Sequence, residues 1–340
     1  MNNISNDFCD ASARQPRPTA VWKDALLLVA ERVGRQLYWN SRLLRSWARR
    51  WCAGGKPAPQ VVEREQLKQY LRRIGVREGA LVMAHTSVTG LQLTDREHPE
   101  QVRGFATVAA QLIKDLQELV GPTGTLVMPA HAVYQQQNEY GWPTDRDVKY
   151  DPQRTPCCVG FANELFWRQK GVLRSLHPHN SLAACGPLTE ELLHDNLNER
   201  KPLPHGVDSG YYRFCQKNGL VISIGVPLGR YLTLIHVAEE VRDQQWPIPD
   251  FFVERRYIVR IDGQDQPWTV RQHRSEYGKF SICMRKLCRD LRAEGILHEG
   301  MVGSVRVDWV RAGEVFDYMM SRNKNSSYPY YWPWLVNRTE

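Results

Sequence analysis

This sequence lacks most of the short signatures that disclose a chemistry at sight. None of its eight cysteines forms a Cys-x-x-Cys pair or joins histidines at zinc-ligand spacing, which argues against a structural zinc site or a thioredoxin-like redox centre. Cys157 and Cys158 are adjacent and make a poor mutual disulfide. There is no Walker phosphate loop, no Gly-x-Gly-x-x-Gly fingerprint and no Gly-x-Ser-x-Gly elbow, so P-loop, dinucleotide and nucleophile-elbow chemistries have no sequence support. No apolar run reaches the roughly 18–20 residues needed to span a bilayer. The polar first residues are not followed by a small-residue cleavage site after an apolar run, so no secretory leader is expected. A reduced, cytoplasmic protein is the expectation.

What is present is an ordinary globular composition with a lopsided charge. Hydrophobic residues make up 42% and charged residues 24% of 340, enough for one large domain with an appendage. The net charge is +8, and residues 1–57 hold ten Lys/Arg against four acids. The remainder is near neutral, which argues against a nucleic-acid-binding catalytic domain. Residues 1–18 are polar and read as disordered. Over residues 20–52, Val33, Leu37, Leu44, Trp47 and Trp51 recur at helical spacing with arginines between them, predicting one or two basic helices. Residues 53–59, Ala-Gly-Gly-Lys-Pro-Ala-Pro, read as a linker. The organisation expected is a basic, Trp-rich extension over 1–58, a catalytic domain over 59–325 and an aromatic tail over 326–340.

Beyond the linker, strand and helix patterns alternate. Helices are expected at 61–74, 102–119, 160–169, 232–242, 276–294 and 312–322. Buried strands are expected at 80–84, 125–128 and 220–226, with further strands at 252–261, 267–271 and 303–309. That alternation predicts an α/β sheet covered on both faces. Three stretches carry candidate chemistry. Arg174 to Gly186 sets His177 and His179 in a loop before an Ala-rich run, and Pro178 biases His177 towards extended backbone. A histidine there can take a proton near neutral pH, although a structural or solvent-exposed histidine fits the local residues at least as well. Gly225 to Glu240 reads as strand, glycine loop and helix, with Thr233, His236 and Glu240 on one helical face. The helix start suits a developing negative charge, and an amphipathic helix with a core histidine is the other reading. Val82 to Gly90 ends a buried strand in His85-Thr86-Ser87, where α/β folds collect ligands; a plain polar loop is the alternative.

In order and spacing these stretches resemble the aminoglycoside 3-N-acetyltransferase family. The pieces are Met83-Ala84-His85-Thr86-Ser87, Gly121-Pro122-Thr123-Gly124-Thr125-Leu126-Val127-Met128-Pro129, Asp151-Pro152 with Thr155-Pro156, Arg174-Ser175 with His177-Pro178, Gly219-Leu220 with Gly225-Val226, and Thr233 with His236-Val237-Ala238-Glu239. The likeness covers roughly residues 62–323. It implies an α/β/α sandwich of the family's own type, distinct from the GNAT fold, with acetyl-CoA as co-substrate, direct transfer to an amine and no metal. It implies His177 as general base, with Thr233, Asp208 and Glu239 beside it. Coenzyme contacts fall on His85, Thr86, Ser87, Gly90 and Ser181, and acceptor contacts on Tyr150, Asp151, His236 and Glu240. One motif departs from the family. Its usual Gly-Glu-Gly-Ser-Pro is here Gly206-Val207-Asp208-Ser209-Gly210, so Val207 stands where the family has glutamate. Asp208, one place along, or Glu239 would have to serve the histidine, and a non-catalytic relative acting as a scaffold is the contrasting expectation.

The loop over 134–154 mixes Glu139, Asp145, Asp147 and Asp151 with Arg146, Lys149 and Arg154. It is not a strongly acidic lid, which suggests a less cationic acceptor than an aminoglycoside, such as one amino sugar of a surface polysaccharide. The basic helix over 20–52 suits the headgroup region of a membrane. Packing on the domain, or on a second copy of the chain in a homodimer, is the alternative.

Overall fold

The computed structural model describes residues 59–95, 104–134, 148–194, 197–198, 200–230, 232–274, 282–323 and 328–331, together with Ser41, Leu43, Leu44, Ser46 and Trp47. Most of the predicted basic helix, and Glu139, Asp145, Arg146 and Asp147 of the acceptor loop, lie outside these residues.

The centre is a seven-stranded sheet. Its parallel middle is β2 (Leu81–Thr86), flanked by β4 (Thr125–Pro129) and β8 (Leu220–Ile224). Antiparallel strands extend it on both sides. β7 (Leu182–Cys185) pairs with β4, and β6 (Leu173–Arg174) pairs with β7. On the far side β12 (Val305–Arg311) pairs with β8, and β11 (His298–Val302) pairs with β12. The middle strands are buried on both faces, and the two-residue period divides their side chains between two cores. Val82, Ala84, Leu126, Met128, Leu220 and Ile222 pack against α1 (Arg64–Arg73), α2 (Phe105–Val120) and α3 (Phe161–Trp167). Met83, Val127 and Val221 face the other way, against α5 (Gly210–Gln216), α6 (Ile235–Glu240), α7 (Met284–Ala293) and α8 (Ala312–Arg322). The short α4 (Thr189–Leu193) follows β7 on that second side. This is the three-layer α/β/α arrangement that the alternation predicts.

Two smaller sheets shape the edge where strands end. β1 (Gln60–Glu63) runs parallel to β3 (Leu91–Thr94). The helix expected over 61–74 therefore starts only at Arg64, because Val61 and Val62 are β-branched and find a strand partner. Glu63 then caps α1 by accepting from the amides of Glu65 and Gln66. The third sheet joins β5 (Val148–Tyr150), β9 (Phe252–Ile261) and β10 (Gln264–His273) in the order β10-β9-β5. β10 is longer than expected and runs through Pro267, which an edge strand tolerates. β7 is Ala-rich and no strand is expected there from propensity. Ala183 and Ala184 have no exposed surface, so tight packing between two helical layers overrides the weak strand preference of alanine.

Candidate active site

Because β2, β4 and β8 are parallel, their carboxyl ends form one edge, the usual ligand edge of α/β sheets. Beyond the end of β4 lie Ala130 and His131. The turn between β6 and β7 carries His177 and His179, and α6 follows the loop after β8. β10 of the third sheet ends at His273, and residues 202–205 cross beside the turn. Six of the ten histidines thus converge, with two adjacent carboxylates on α6.

The β6–β7 turn is held rigidly. Arg174 donates to the carbonyls of Thr155 and Ala130, and its guanidinium lies 5.3 Å from the Tyr150 ring centre and 4.8 Å from that of Trp167. Ser181 donates to Ala130 O at 2.6 Å, and the Ser175 hydroxyl accepts from Leu182 N at 3.1 Å. Tyr134 donates to Pro178 O and Tyr150 to Ser175 O. Asn180 takes a positive φ of 50°, a conformation asparagine tolerates. The result is a backbone that fixes His177, which is 4% exposed. Its Nδ1 lies 2.7 Å from His179 O and its Nε2 3.3 Å from Pro202 O. Burial pushes its imidazole down to about 4, against a smaller upward pull from the two carbonyls and Glu240, so the ring is neutral at physiological pH.

Around it the polar groups form a chain. His205 donates through its backbone amide and Nδ1 to Glu240, the ring contact being 2.8 Å. Both side chains are wholly buried. Burial alone would raise the Glu240 carboxyl, but His205 and His273 hold it well below the usual carboxylate range. The His273 ring stacks on His236 at 4.7 Å and meets His179 edge-on at 5.9 Å. His236 Nδ1 lies 2.7 Å from Glu239 Oε2, and Tyr331 donates to Glu239 Oε1 at 2.6 Å. On the other flank the Tyr211 hydroxyl meets His131 Nε2 at 3.1 Å, and its ring packs 4.5 Å from His205. Ser209 caps α5 by accepting from Tyr212 N, which sets Tyr211 in place. Thr233 Oγ1 is buried beside the Tyr211 hydroxyl, whose ionisation it eases, and makes no hydrogen bond of standard geometry, so a ligand oxygen can recruit it as a donor.

The sequence-derived residues distribute unevenly. His177, Thr233, His236, Glu239 and Glu240 come together. Asp208 does not join them, because its carboxylate accepts from Asn198 Nδ2 at 2.8 Å; the shift that would bring it to His177 is absent, and Val207 is 53% exposed. The hydrogen-bond partners of the His177 ring are the carbonyls of His179 and Pro202, and Glu240 is the carboxylate whose charge pulls it weakly upward. Tyr150 and Ser181 are fully buried with their hydroxyls bonded to backbone carbonyls, so both brace the turn where ligand contacts are expected. Asp151 is half-buried and accepts from Gln153 N at 2.8 Å. Along β2, His85 follows Met83 onto the α6 side, and burial lowers its imidazole to about 4. Thr86 Oγ1 is buried without a partner, Ser87 N donates to Ile224 O, and Gly90 is exposed at φ 77°. Gly225, also at φ 77°, lets the two strand ends close up, since a Cβ there would meet Ser87 O at 2.7 Å.

Sequence reasoning missed His131, His205, Tyr211, His273 and Tyr331. Each is isolated in its local stretch, and only chain crossings bring them together. Among the described residues no group of three His, Cys, Asp or Glu side chains is arranged to hold a metal ion.

A family model described as aminoglycoside 3-N-acetyltransferase matches residues 83–323. The aminoglycoside N(3)-acetyltransferase IX of Micromonospora chalcea is 27% identical over 279 residues, covering 76% of this chain and 92% of that protein. Among solved structures, the aminoglycoside acetyltransferase AAC(3)-Xa superposes with a TM-score of 0.58 at 24% identity, covering 77% of this chain and 92% of that one. The binary complex of AAC-IIIb with CoASH gives 0.58 at 21% identity, covering 77% and 96%. At such identities the structural likeness speaks for the fold.

Proposed function

As the chain belongs to the aminoglycoside 3-N-acetyltransferase family of acyltransferases, we propose that it moves the acetyl group of acetyl-CoA directly onto an amino group of an aminoglycoside or amino sugar, with His177 as general base. The observation that supports this most is the neutral, rigidly seated His177 inside a cluster that contains a buried carboxylate and a buried threonine hydroxyl.

A sugar amine attacks a thioester carbonyl only as the neutral base, so an ammonium form first gives one proton to solvent, and the nitrogen gives up a second as it bonds to the carbonyl carbon. His177, uncharged at neutral pH, can accept that proton, and the Glu240 charge nearby favours the imidazolium that forms. As the carbon–nitrogen bond forms, the carbonyl oxygen gains negative charge, and the Thr233 hydroxyl is a donor suited to it. The carbon–sulfur bond then breaks, and the proton held by the base can pass to the departing thiolate. His85, Thr86, Ser87 and Gly90, at the end of β2, are the proposed coenzyme contacts. The likeness to a protein solved with CoASH supports that donor.

A single amino sugar is the second reading of the acceptor. It is favoured by the prior engagement of the described acids: Glu239 and Glu240 are hydrogen-bonded to histidines, and Asp151 has Arg154 at 4.0 Å. The basic extension over 20–52 is proposed to touch an anionic membrane surface, since Leu43 and Trp47 are exposed within it. No helix among the described residues is long and apolar enough to cross a membrane.

The deciding experiment measures amine-dependent release of the coenzyme thiol over a panel of aminoglycosides, amino sugars and their nucleotide conjugates. Release by the wild type, with His177→Ala slower by about 10²–10⁴-fold, is the expected outcome. Acetyl-CoA binding without turnover on any amine would instead favour the non-catalytic scaffold.

A further inference from the structure

The family match ends at residue 323, yet the chain continues into an ordered aromatic segment that reaches the histidine cluster. We infer that Tyr331 is a positioning residue of this active site: its phenol fixes Glu239, and through Glu239 the His236 imidazole that walls the cluster. The inference rests on the acyl-transfer reading above for its meaning, but not for its measurement.

The segment 328–331 is pinned along its length. Tyr330 O accepts from Cys283 N at 2.7 Å, and Pro329 O from Lys286 Nζ at 2.8 Å. The Tyr330 hydroxyl is bonded to that of Tyr318 at 2.6 Å and lies 3.1 Å from Asp290 Oδ2. The Tyr328 hydroxyl accepts from Arg242 at 3.2 Å, and Trp246 meets the rings of Tyr328 and Tyr331 edge-on at 5.4 and 5.0 Å. Tyr331 itself bridges to Ile282 and is 4% exposed. These anchors belong to α7, α8 and the stretch after α6, so the segment clasps the three elements that back the site.

At the end of the clasp stands a fully buried carboxylate. A buried charge needs close partners, and Glu239 has one for each oxygen: Tyr331 on Oε1 and His236 on Oε2. The His236 ring is stacked on His273 and lies 5.4 Å from His205, the partner of Glu240. The groups facing the Tyr331–Glu239–His236 line are therefore Arg242 and Tyr328 on the tail side, and His205, Glu240 and His273 on the site side. Removing the phenol leaves one carboxylate oxygen without its donor and frees Glu239 to rotate, taking His236 with it.

The test is Tyr331→Phe in the full chain, which keeps the ring and removes only the hydroxyl. The expected result is a kcat lower by about tenfold with KM for the acyl donor unchanged within about twofold. In a Glu239→Gln background, Tyr331→Phe should add no further loss, since both changes cut the same line. A purely structural clasp predicts otherwise: a lower melting temperature with kcat in place, and that result overturns the proposal. Where Tyr331→Phe folds poorly, a ring-fluorinated tyrosine at 331 retains the donor but alters its acidity. Turnover then changes if the phenol holds the carboxylate, and a kcat equal to that of the wild type overturns the idea. If the wild type turns over no amine, it is the acyl-transfer reading that fails. The Tyr331 line is then decided by NMR of the His236 imidazole, whose ring resonances move in Tyr331→Phe if the line exists and stay put if it does not.

Discussion

Burial keeps the histidines of the candidate site uncharged, and the same burial makes the fold acid-sensitive. His85 and His177 are each held at about 4 in the folded chain, and burial also lowers His179 and His205. In the unfolded chain each titrates near 6.5. Between those values the unfolded chain binds protons that the folded chain refuses, so stability is full above about 6.5 and falls as pH drops, levelling for His85 and His177 near 4. The slope is up to about 1.4 kcal/mol per pH unit for each such histidine. Urea midpoints should therefore fall steeply between pH 6.5 and 4.5, and His85→Asn should flatten that fall. A midpoint independent of pH in this window would mean that the histidines are hydrated. At this scale the sequence disclosed His177 only through its neighbours: a lone His-Pro-His loop is chemically mute. Glu240 was visible as a helical-face acid, but its pairing with His205 across the chain was not.

Among the elements, short helices do the positioning. α5 has seven residues and begins at Ser209, whose hydroxyl accepts from Tyr212 N. That cap fixes the first turn, which carries Tyr211 to His131 and His205. Ser209→Ala should cost about 1 kcal/mol, read as a lower melting temperature, and slow turnover by loosening the Tyr211–Thr233 wall. Turnover equal to that of the wild type would mean that the wall does not orient the reactants. The motif around Ser209 is also where this chain leaves its family. The expected Glu position is the exposed Val207, while Ser209 keeps the cap; the structural half of the motif is present and its carboxylate is missing. Periodicity located β2, β4, β8, α2 and α8 because each is long or mostly apolar, and α3 because the apolar residues of its seven recur at helical spacing. It missed β3, β5, β6, β7 and β11, whose two to five residues are too short to develop a period, and whose existence depends on a partner strand already being in place.

Across the molecule, the described fold from Gln60 onward contains the complete seven-stranded sheet and the histidine cluster. The basic charge is concentrated before it, in residues 1–57. Deleting residues 1–57 should leave cooperative unfolding and thiol release intact, while abolishing co-sedimentation with anionic lipid vesicles. Equal pelleting of both chains would remove the membrane role. The sequence by itself settled the class of fold, because an apolar run of four or five residues bounded by turns and followed by an amphipathic helix has few stable solutions besides a doubly covered sheet. It also settled the family, through the order of its motifs. Tertiary structure alone decided which groups share the site. His131, His205, His273 and Tyr331 come from four separate regions of the chain, and their chemistry arises from proximity and burial, neither of which a linear pattern encodes.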